Sequence, residues 1–475
     1  MKKIRFGTSG WRAIISDDFT FANVRLVVQA IADYIKREHK RKKIKNQSVI
    51  VGYDTRFLSK EFAQEAAAVL SANKIKVFLC DRDTPTPVIA YQIIRKQCAG
   101  GINFTASHNP PHYNGIKFSS QTGGPATLDI TKIIESNIER LQGIKKDKEY
   151  TADKKLITLF DPSPEYFKQV EKIVDLKAIK KARLKIACDC LYGTSRGYLD
   201  YILEKQGCKR IVLHDFLNPY FGGRRPEPAQ ENIHELISAV KRANFNLGLA
   251  TDGDADRFGI VDADGTYITP NQVITLLFYH LLRSRKQKNG NFVARTVATT
   301  HMVDIIAKTH GIKVVETPVG FKYFVESILS NKCIIAGEES GGLSLSGHIP
   351  EKDGIVACLL VAEMVAKERR PIAKILHSIY KEYGRLYSHR IDLELTKDKK
   401  LSLMKRLLSG SVKKLGAQNI ISRDKEDGCR FILEDGSWVL FRPSGTEPIV
   451  RVYFESKSAK TLKAIENACV KLVSV

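Results

Sequence analysis

The chain has 475 residues, of which 43% are hydrophobic and 27% charged, a composition typical of a globular protein with several domains. Its 76 basic and 52 acidic residues give a formal net charge of +24, which favours anionic partners such as nucleic acid, anionic lipid or phosphorylated metabolites. The sequence has no zinc-finger spacing, RNP-type motif or basic zipper, no apolar stretch long enough for a bilayer, and no apolar signal-peptide core in residues 1–10. We therefore predict a cytoplasmic protein with no membrane association and no specific nucleic-acid binding.

A pattern of strand, helix, strand, helix and strand occurs three times along the chain, and each occurrence ends in a polar loop. Strands that alternate with helices indicate parallel α/β layers, so we predict three related mixed α/β domains. The strands are predicted at residues 49–54, 76–81 and 101–105, then at 185–189, 210–214 and 246–251, and finally at 291–299, 313–316 and 332–336.

Helices are predicted near residues 61–72, 198–206 and 301–310, each between the first and second strands of its unit. Asn73, Gly207 and Gly311 follow these helices, where a chain commonly leaves a helix through a left-handed residue. The three junctions therefore resemble one another, which favours an internal duplication.

The last part of the chain has a different pattern. An alternating segment near HRIDLEL is followed by a long helix, a hairpin-like strand pair and a terminal helix, which predicts a smaller α+β domain. The predicted domain limits are 1–152, 153–262, 263–380 and 381–475.

The nine cysteines lie mostly in apolar, strand-like runs, which favours buried free thiols. Cys188 and Cys190 would share one face of a strand and could suggest a metal ligand pair. No second Cys/His pair stands near them in the sequence, so the buried-thiol interpretation is preferred.

The loop after the third strand of the first unit reads TASHNP at residues 105–110. Ser107 offers a hydroxyl that could accept a phosphoryl group, and Pro110 and Pro111 would stiffen the turn that holds it. An ordinary polar turn is the alternative, because Ser, Asn and Pro are common turn residues.

The corresponding loop of the second unit reads DGDADR at residues 252–257. Asp252, Asp254 and Asp256 can converge on one hard cation, and three carboxylates so close repel one another without one. A calcium EF-hand is excluded, since its sixth and twelfth positions would hold Arg257 and Ala263. A magnesium site that leaves room for water or a phosphate oxygen is predicted.

Two further loops offer polar groups. GEESGG at residues 337–342 presents Glu338 and Ser340, which could hydrogen-bond sugar hydroxyls, although a glycine-rich turn is an equally simple interpretation. RPSGTEP at residues 442–448 combines the guanidinium of Arg442 with Ser444, Gly445 and Thr446, a combination suited to a phosphate monoester. A plain hairpin loop remains the alternative for it.

A competing motif is GTSRG at residues 193–197, which matches the G-x-S-x-G nucleophile elbow between a strand and a helix. A serine hydrolase would use Ser195 with an unidentified Asp and His further along the chain. This hypothesis gives no role to the aspartate cluster or to RPSGTEP. A P-loop kinase is disfavoured because no Gly-Lys-Ser/Thr occurs.

With its loops in this order, the chain resembles the α-D-phosphohexomutases, the phosphoglucomutase and phosphomannomutase superfamily. The resemblance extends from FGTSGWR at residues 6–12 to RPSGTEP, and the pairing of TASHNP with DGDADR is highly specific. It implies four domains around a central active-site cleft, and a phosphorylated Ser107. It also implies Mg²⁺ bound by Asp252, Asp254, Asp256 and a phosphoserine oxygen.

The resemblance further implies that a hexose 1,6-bisphosphate is the intermediate and the primer, and that a small phosphosugar is the substrate. Arg12, His108 and Lys117 become candidates for proton transfer and charge stabilisation. Monomer and dimer are both open. Substrate contacts are implied for Arg257, Glu338, Ser340, Lys352, Arg442, Ser444, Gly445 and Thr446.

Similarity in detail favours glucose as the sugar. The FGTSG opening, the GEES form of the third loop and EKDG at residues 351–354 look like phosphoglucomutases, whereas phosphomannomutase-type members tend to carry GEMSGH and phosphoglucosamine mutases GEQSGH. Gly342 replaces that histidine here, and Val319 stands where glucose enzymes often have threonine. Mannose and glucosamine phosphates are the alternatives.

Overall fold

The computed structural model describes residues 4–7, 10–41, 43–143, 149–444 and 448–474. These residues form four sheets with helices packed on them, which confirms the predicted fold class of three mixed α/β units and a smaller C-terminal α+β domain.

The first unit has the strand order β1-β5-β4-β2-β3-β6. The last strand begins just beyond residue 152, so this sheet includes a segment that follows the first predicted domain limit; the four limits remain a prediction. The elements are β1 (Trp11–Ile14), α1 (Phe21–Lys40), β2 (Val49–Tyr53), α2 (Ser59–Ala72), β3 (Val77–Cys80), α3 (Thr86–Arg95), β4 (Gly100–Phe104), β5 (Tyr113–Ser120), α4 (Leu128–Gln142) and β6 (Ile157–Phe160).

The second unit has the strand order β11-β10-β9-β7-β8. Two helices precede its first strand. Its elements are α5 (Ser163–Ile173), α6 (Leu176–Ala182), β7 (Lys185–Asp189), α7 (Leu199–Lys205), β8 (Lys209–Leu213), α8 (His234–Arg242), β9 (Leu247–Thr251), β10 (Phe258–Asp262) and β11 (Tyr267–Ile268).

The third unit has the order β13-β12-β14-β15. Its elements are α9 (Pro270–Ser284), β12 (Phe292–Thr296), α10 (Met302–Thr309), β13 (Lys313–Thr317), α11 (Val325–Leu329), β14 (Cys333–Glu338), β15 (Gly342–Ser344), α12 (Gly354–Glu368) and α13 (Ile372–Tyr383).

The C-terminal domain has an antiparallel sheet with the order β16-β21-β20-β19-β18-β17. Its elements are β16 (Tyr387–Glu394), α14 (Lys397–Leu408), β17 (Lys414–Leu415), β18 (Gln418–Asp424), β19 (Cys429–Leu433), β20 (Trp438–Pro443), β21 (Ile449–Ser456) and α15 (Ala459–Ser474).

The three α/β units repeat one arrangement. In each, the first strand lies between the second and third and runs parallel to both, as in β3-β2-β4, β8-β7-β9 and β13-β12-β14. The next strand of each unit, β5, β10 or β15, adds antiparallel to the third. Every residue of β2 and β9 is buried, as expected when helices cover both faces of a sheet. The carboxyl ends of β4, β9 and β14 therefore carry equivalent loops.

The apolar helix α12 joins the second and third units into one hydrophobic core. Its residues 354–366 are buried all round, which accounts for the long apolar stretch of the sequence. Glu363 lies within this helix and is paired with His280 at 3.0 Å and Arg285 at 2.7 Å. The first unit and the C-terminal domain each have a core of their own.

One predicted helix end differs from the structure. Gly207 and Gly311 adopt φ values of 70° and 64°, as predicted. Asn73 instead has φ −82°, and Lys74 takes the left-handed position with φ 64°. Asn73 is held by its side chain, whose Nδ2 donates to the carbonyl of Val69 at 2.8 Å, so the chain turns one residue later.

All nine cysteines lie in the described part of the chain, and all are free and buried. Burial raises the pKa of the Cys188 and Cys190 thiols, as expected for side chains that stay protonated. Among the described helices, none is both long and apolar enough to cross a bilayer.

Candidate active site

The loop that follows β4 places Ser107 in a buried crevice between the first and second units. Ser107 has φ 51°, a left-handed backbone that is costly for a residue other than glycine. Its amide donates to Thr105 Oγ1 at 2.8 Å, and its hydroxyl donates to Asp252 Oδ2 at 2.7 Å. His108 Nδ1 lies 3.4 Å from the same hydroxyl oxygen. The hydroxyl of the first unit therefore meets the acidic loop of the second.

The acidic loop follows β9 and turns back through Ala255, which has φ 57°. Asp252, Asp254 and Asp256 are buried, and each offers a carboxylate oxygen within 4.8 Å of the others. Asp252 Oδ1 accepts the amides of Asp256 at 2.9 Å and Arg257 at 3.0 Å, which fixes the curvature of the loop.

The three carboxylates fit a hard divalent cation. Asp254 Oδ1 and Asp256 Oδ1 are buried without a hydrogen-bond partner among the described residues, although buried carboxylate oxygens are normally bonded. Carboxylate oxygens are also the ligands that Mg²⁺ and Ca²⁺ prefer. The loop could therefore bind a metal ion.

Two lysines adjoin the same carboxylates. Lys117 Nζ, on β5, lies 2.5 Å from Asp254 Oδ2 and 2.7 Å from Asp256 Oδ2. Lys352 Nζ lies 3.2 Å from Asp256 Oδ2 and 2.8 Å from Glu351 Oε1. The site thus combines negative and positive groups at contact distance, an arrangement suited to phosphate chemistry.

Burial and these charges set the protonation of the cluster. Burial raises the pKa of Asp252, and the negative charges of Asp256 and Asp254 raise it further. Burial also opposes ionisation of Asp256, but Lys117 and Lys352 outweigh it and hold that pKa below its usual range. Both lysines keep a raised pKa, because nearby carboxylates more than offset the burial of their ammonium groups. Lys117 and Lys352 are therefore cations at neutral pH.

Arg12 and His108 lie on the first-unit side. Arg12 Nη1 donates to Asn109 Oδ1 at 2.8 Å, which brings β1 to the Ser107 loop. Burial lowers the pKa of Arg12. Burial also lowers the pKa of His108 well below its ordinary value, with Arg257 and Arg12 adding to the effect.

The third loop lies beside Lys352. Glu338 Oε1 accepts the amide of Gly320 at 2.9 Å, and Ser340 Oγ stands 3.5 Å from Glu338 Oε2. A Cβ on Gly342 would lie 2.3 Å from Lys352 Cδ. The missing side chain at Gly342 therefore makes room for the stem of Lys352.

Arg257 follows the acidic loop and donates to Glu227 Oε1 at 3.1 Å. Burial opposes its charge, but Glu227 and Asp256 outweigh it and raise its pKa.

The described part of the fourth loop is connected to the third unit. Arg442 Nε donates to both oxygens of Asp427 at 3.0 Å, and Asp427 Oδ2 accepts the amide of Val319 at 2.7 Å. The Ser444 amide donates to the carbonyl of Ile449 at 3.0 Å. The predicted contacts at Gly445 and Thr446 lie outside the described residues.

The competing nucleophile Ser195 is buried between strands. Its oxygen accepts a bond from Thr251 Oγ1 at 2.7 Å. Within the described ranges, no hydrogen bond joins Ser195 to a histidine. The geometry that a serine hydrolase needs is thus absent from the described residues around Ser195.

Two residues in the site were missed by the sequence analysis. Thr86, at the start of α3, donates its hydroxyl to Asp254 Oδ2 and accepts Asn103 Nδ2 at 2.8 Å. Arg56, in the loop after β2, bonds the backbone of the Ser107 loop, with Nη2 2.7 Å from the carbonyl of Ser107. Both follow the carboxyl ends of parallel strands. That position is itself the signal, but in the first unit the sequence-based prediction considered the loop after the third strand and not the loops after the first and second.

Comparison with known families covers nearly the whole chain. The models of phosphoglucomutase/phosphomannomutase α/β/α domains I, II and III match residues 3–144, 164–265 and 269–383. The model of the C-terminal domain of the same family matches residues 395–472.

Individual relatives cover the same length. A phosphoglucomutase/phosphomannomutase of Thermococcus kodakarensis is 30% identical over 98% of each chain. A protein of Methanosphaera stadtmanae, assigned provisionally as a phosphoglucosamine mutase, is 32% identical over 97% of this chain and 96% of its own.

Solved structures give the same result. A protein from Thermus thermophilus described as a candidate phosphomannomutase has a TM-score of 0.86 at 30% identity, covering 100% of this chain and 99% of its own. The open form of parafusin, a phosphoglucomutase from Paramecium, has a TM-score of 0.82 at 26% identity, covering 99% of this chain and 94% of its own.

Proposed function

Because the chain belongs to the phosphoglucomutase/phosphomannomutase family of phosphohexomutases, which are isomerases, we propose that it interconverts hexose 1-phosphate and hexose 6-phosphate, with α-D-glucose as the preferred sugar. The observation that carries this proposal is the 2.7 Å contact between Ser107 Oγ and Asp252 Oδ2. It joins a nucleophilic hydroxyl to a cluster of acidic residues across two units.

Ser107 is the proposed phosphoryl carrier. The bond between phosphorus and Ser107 Oγ breaks, a bond from phosphorus to the free sugar hydroxyl forms, and the hydroxyl proton passes to a basic group of the site. The resulting hexose 1,6-bisphosphate turns over in the cleft, and Ser107 Oγ then takes the other phosphoryl group. The same bisphosphate serves as primer when it phosphorylates Ser107 at the outset.

The proposed metal ligands are Asp252, Asp254, Asp256 and an oxygen of the phosphorylated Ser107. Mg²⁺ in this position supplies charge neutralisation for the transferring group.

Positively charged side chains of the site hold the transferring phosphoryl group. Lys117 and Lys352, whose side chains are both 9% exposed, contact the carboxylates of the acidic loop and are assigned to neutralise the phosphoryl oxygens. Arg12 adds a guanidinium from the first unit. His108, with Nδ1 3.4 Å from Ser107 Oγ, is the ring assigned to proton exchange with the reacting oxygens.

The remaining residues are assigned to the substrate. Glu338 and Ser340 bond sugar hydroxyls, and Arg257 orients the ligand beside the acidic loop. Arg442, Ser444, Gly445 and Thr446 hold the phosphate that is not transferred. Because the two phosphates exchange positions, this last group must accept either end of the sugar.

Glucose is preferred over mannose and glucosamine on sequence similarity, and the named relatives include all three classes. Gly342, in place of a histidine, leaves its space to Lys352. Val319 packs against the apolar cluster around Trp438. Because valine has no hydroxyl group, it cannot replace a threonine in binding the sugar. We further propose that the protein works in the cytoplasm on small phosphosugars, as a monomer or dimer, without nucleic-acid or membrane partners.

The test is a comparison of rates on the 1-phosphates of glucose, mannose and glucosamine, each with Mg²⁺ and the matching 1,6-bisphosphate. We expect the largest kcat/KM for glucose 1-phosphate, measured by coupling glucose 6-phosphate to a dehydrogenase. A larger value for either other sugar would overturn the glucose preference. Absence of turnover on all three would overturn the proposed function.

A further inference from the structure

Arg56 lies in the loop after β2, and its guanidinium is directed at the backbone of the loop that carries Ser107. Nη2 donates to the carbonyls of Ser107 at 2.7 Å and Asn109 at 2.6 Å. Nη1 donates to the carbonyls of Pro110 at 2.7 Å and Tyr113 at 3.0 Å. One side chain therefore satisfies four backbone acceptors of a single loop.

The charge of Arg56 is fully removed from water, since its side chain and that of Asp54 are both 0% exposed. Asp54 Oδ2 lies 3.2 Å from Arg56 Nε and balances the charge, and Asp54 Oδ1 accepts the Arg56 amide at 2.9 Å. The ring of Phe221, from the second unit, covers the guanidinium at 4.9 Å. A buried charge costs stability unless it is paired and hydrogen-bonded, and here the loop carbonyls accept from Nη1 and Nη2.

The shape of the group matters as much as its charge. A guanidinium presents donors in a rigid planar fork, whereas a lysine ammonium has three donors on one atom. Lysine at this position would keep the ion pair with Asp54 but lose the fork that spans Ser107 to Tyr113. The loop would then lose part of its support without losing the balance of charge.

Ser107 needs such support, because its left-handed backbone is unfavourable for a residue that carries a side chain. Its own carbonyl is one of the acceptors of Arg56. From this geometry we propose that Arg56 is a positioning residue, which holds Ser107 Oγ against Asp252 by clamping the four carbonyls. This inference rests on the proposed function of Ser107 as phosphoryl carrier.

A merely structural role is the competing explanation, and Arg285, an arginine that also pairs with a fully buried carboxylate but is itself 31% exposed, provides the control. Arg285 donates to the buried carboxylate of Glu363 at 2.7 Å and to the carbonyl of Ile173 at 3.3 Å, away from the candidate site. If both arginines only stabilise the fold, Arg56→Lys and Arg285→Lys should behave alike.

The experiment compares the wild type, Arg56→Lys and Arg285→Lys for thermal midpoint, for kcat and KM on the best hexose phosphate, and for amide exchange in residues 106–109. For Arg56→Lys we expect kcat to fall about 100-fold, as for a misplaced reacting group, with KM changed by less than about threefold. We also expect faster exchange in residues 106–109 at a temperature where Arg56→Lys is fully folded. Arg285→Lys should keep the wild-type kcat and exchange.

A second variant, Arg56→Ala, distinguishes loss of the guanidinium group from misfolding, because only the former can be reversed by an added ion. In Arg56→Ala, added guanidinium ion should restore part of kcat and slow the exchange of residues 106–109, while sodium at equal ionic strength should do neither. Wild-type exchange and kcat in Arg56→Lys would overturn the inference, as would a loss of kcat that only follows the thermal midpoint. If the wild type is inactive but Arg56→Lys shows fast exchange, the phosphoryl-carrier function is contradicted and the clamping of the loop by Arg56 is supported. If the wild type is inactive and Arg56→Lys shows no fast exchange, the proposed function and the inference about Arg56 are both contradicted.

Discussion

At the scale of single residues, both loops that carry the proposed chemistry contain a non-glycine residue with a left-handed backbone. Ser107 and Ala255 have φ values of 51° and 57°, and they stand in the two loops that meet at the crevice. Non-glycine residues persist in this conformation only where neighbouring contacts enforce it. Arg56 provides those contacts for Ser107, and the Asp252 carboxylate, through the amides of Asp256 and Arg257, provides them for the loop of Ala255.

The two candidate serines should respond differently to removal of the hydroxyl. Ser107→Ala should abolish turnover, because no oxygen is left to carry the phosphoryl group. Ser195→Ala removes one buried hydrogen bond to Thr251, so we expect about 1 kcal/mol of lost stability and most of the activity retained. Parallel assays of hexose phosphate turnover measure this, and the opposite ranking would favour a serine hydrolase.

Gly342 should be sensitive to a single methyl group. An alanine Cβ there would stand only 2.3 Å from Lys352 Cδ, and the overlap would displace the lysine from Asp256. We expect Gly342→Ala to reduce kcat/KM about tenfold, by loss of a charge contact worth about 1.4 kcal/mol. Gly143→Ala, at φ −69° on the end of α4, is the control and should retain wild-type kinetics. Equal kinetics for the two variants would contradict the packing argument.

At the scale of elements, the sequence predicted the strands and helices well because their periodicity is local. The three parallel triplets and the left-handed helix ends at Gly207 and Gly311 were confirmed. The turn at Asn73 was placed one residue early, because a side-chain bond to Val69 keeps this residue in a helical-type conformation. Such competition between side chain and backbone depends on atomic geometry that residue preferences do not contain.

The sequence predicted some of the segments that form the site and missed others. Loops after β4 and β9 were predicted as candidates because both follow third strands, and the family resemblance implied that they meet in a central cleft. Arg56 and Thr86 belong to loops after β2 and β3, and they reach the site through long-range contacts with Ser107 and Asp254. Their segments, DTR at residues 54–56 and DRDTPT at residues 81–86, follow strands that the sequence predicted, but they were not considered as candidates. The roles of all site residues remain predictions.

Glu316, on strand β13, forms ion pairs between the third unit and the C-terminal domain, and the stability that they contribute should depend on pH. Glu316 Oε2 lies 2.6 Å from Arg295 Nη1 on β12 and 2.7 Å from Arg430 Nη1 on β19. Burial alone would raise the pKa of Glu316, but these two arginines outweigh it and lower the pKa to about 2. A lowered carboxylate pKa stabilises the fold above the ordinary value and loses that effect as the pH falls through the folded-state value.

We therefore expect stability from Glu316 to be present above about pH 4.5 and to be lost between about pH 4.5 and 2. Partial exposure to solvent reduces its size to about 1–2 kcal/mol. Glu316→Gln should flatten the fall of the unfolding midpoint with acid, whereas Glu326→Gln, an exposed change on α11, should follow the wild type. Identical acid profiles for all three proteins would show that the link carries no stability.

At the scale of the whole molecule, the units are connected in two different ways. The second and third units share a continuous core through α12, which makes them one apolar body. The C-terminal domain has its own core and meets the third unit through charged pairs, including Glu339 with Arg390 at 3.5 Å and Asp427 with the amide of Val319 at 2.7 Å. An apolar cluster adds to these polar contacts, since Val297 and Val319 of the third unit pack with Trp438 and Leu440 of the C-terminal domain. The interface is therefore mixed in character, unlike the continuous core shared by the second and third units.

The first and second units meet at the site itself, so occupation of that site should stabilise the molecule. Asp252, Asp254 and Asp256 belong to the second unit, while Ser107 and Lys117 reach them from the first. Mg²⁺ at a concentration of about 100 Kd would contribute about 2.7 kcal/mol to the native state, a rise of a few degrees in the thermal midpoint. Chelation should remove both this rise and the turnover, and added Mg²⁺ should restore both.

Asp254→Asn should lose the Mg²⁺-dependent rise, whereas Asp264→Asn, an exposed change in the turn after β10, should keep it. A Mg²⁺-dependent rise of the same size in Asp254→Asn would show that the ion binds elsewhere.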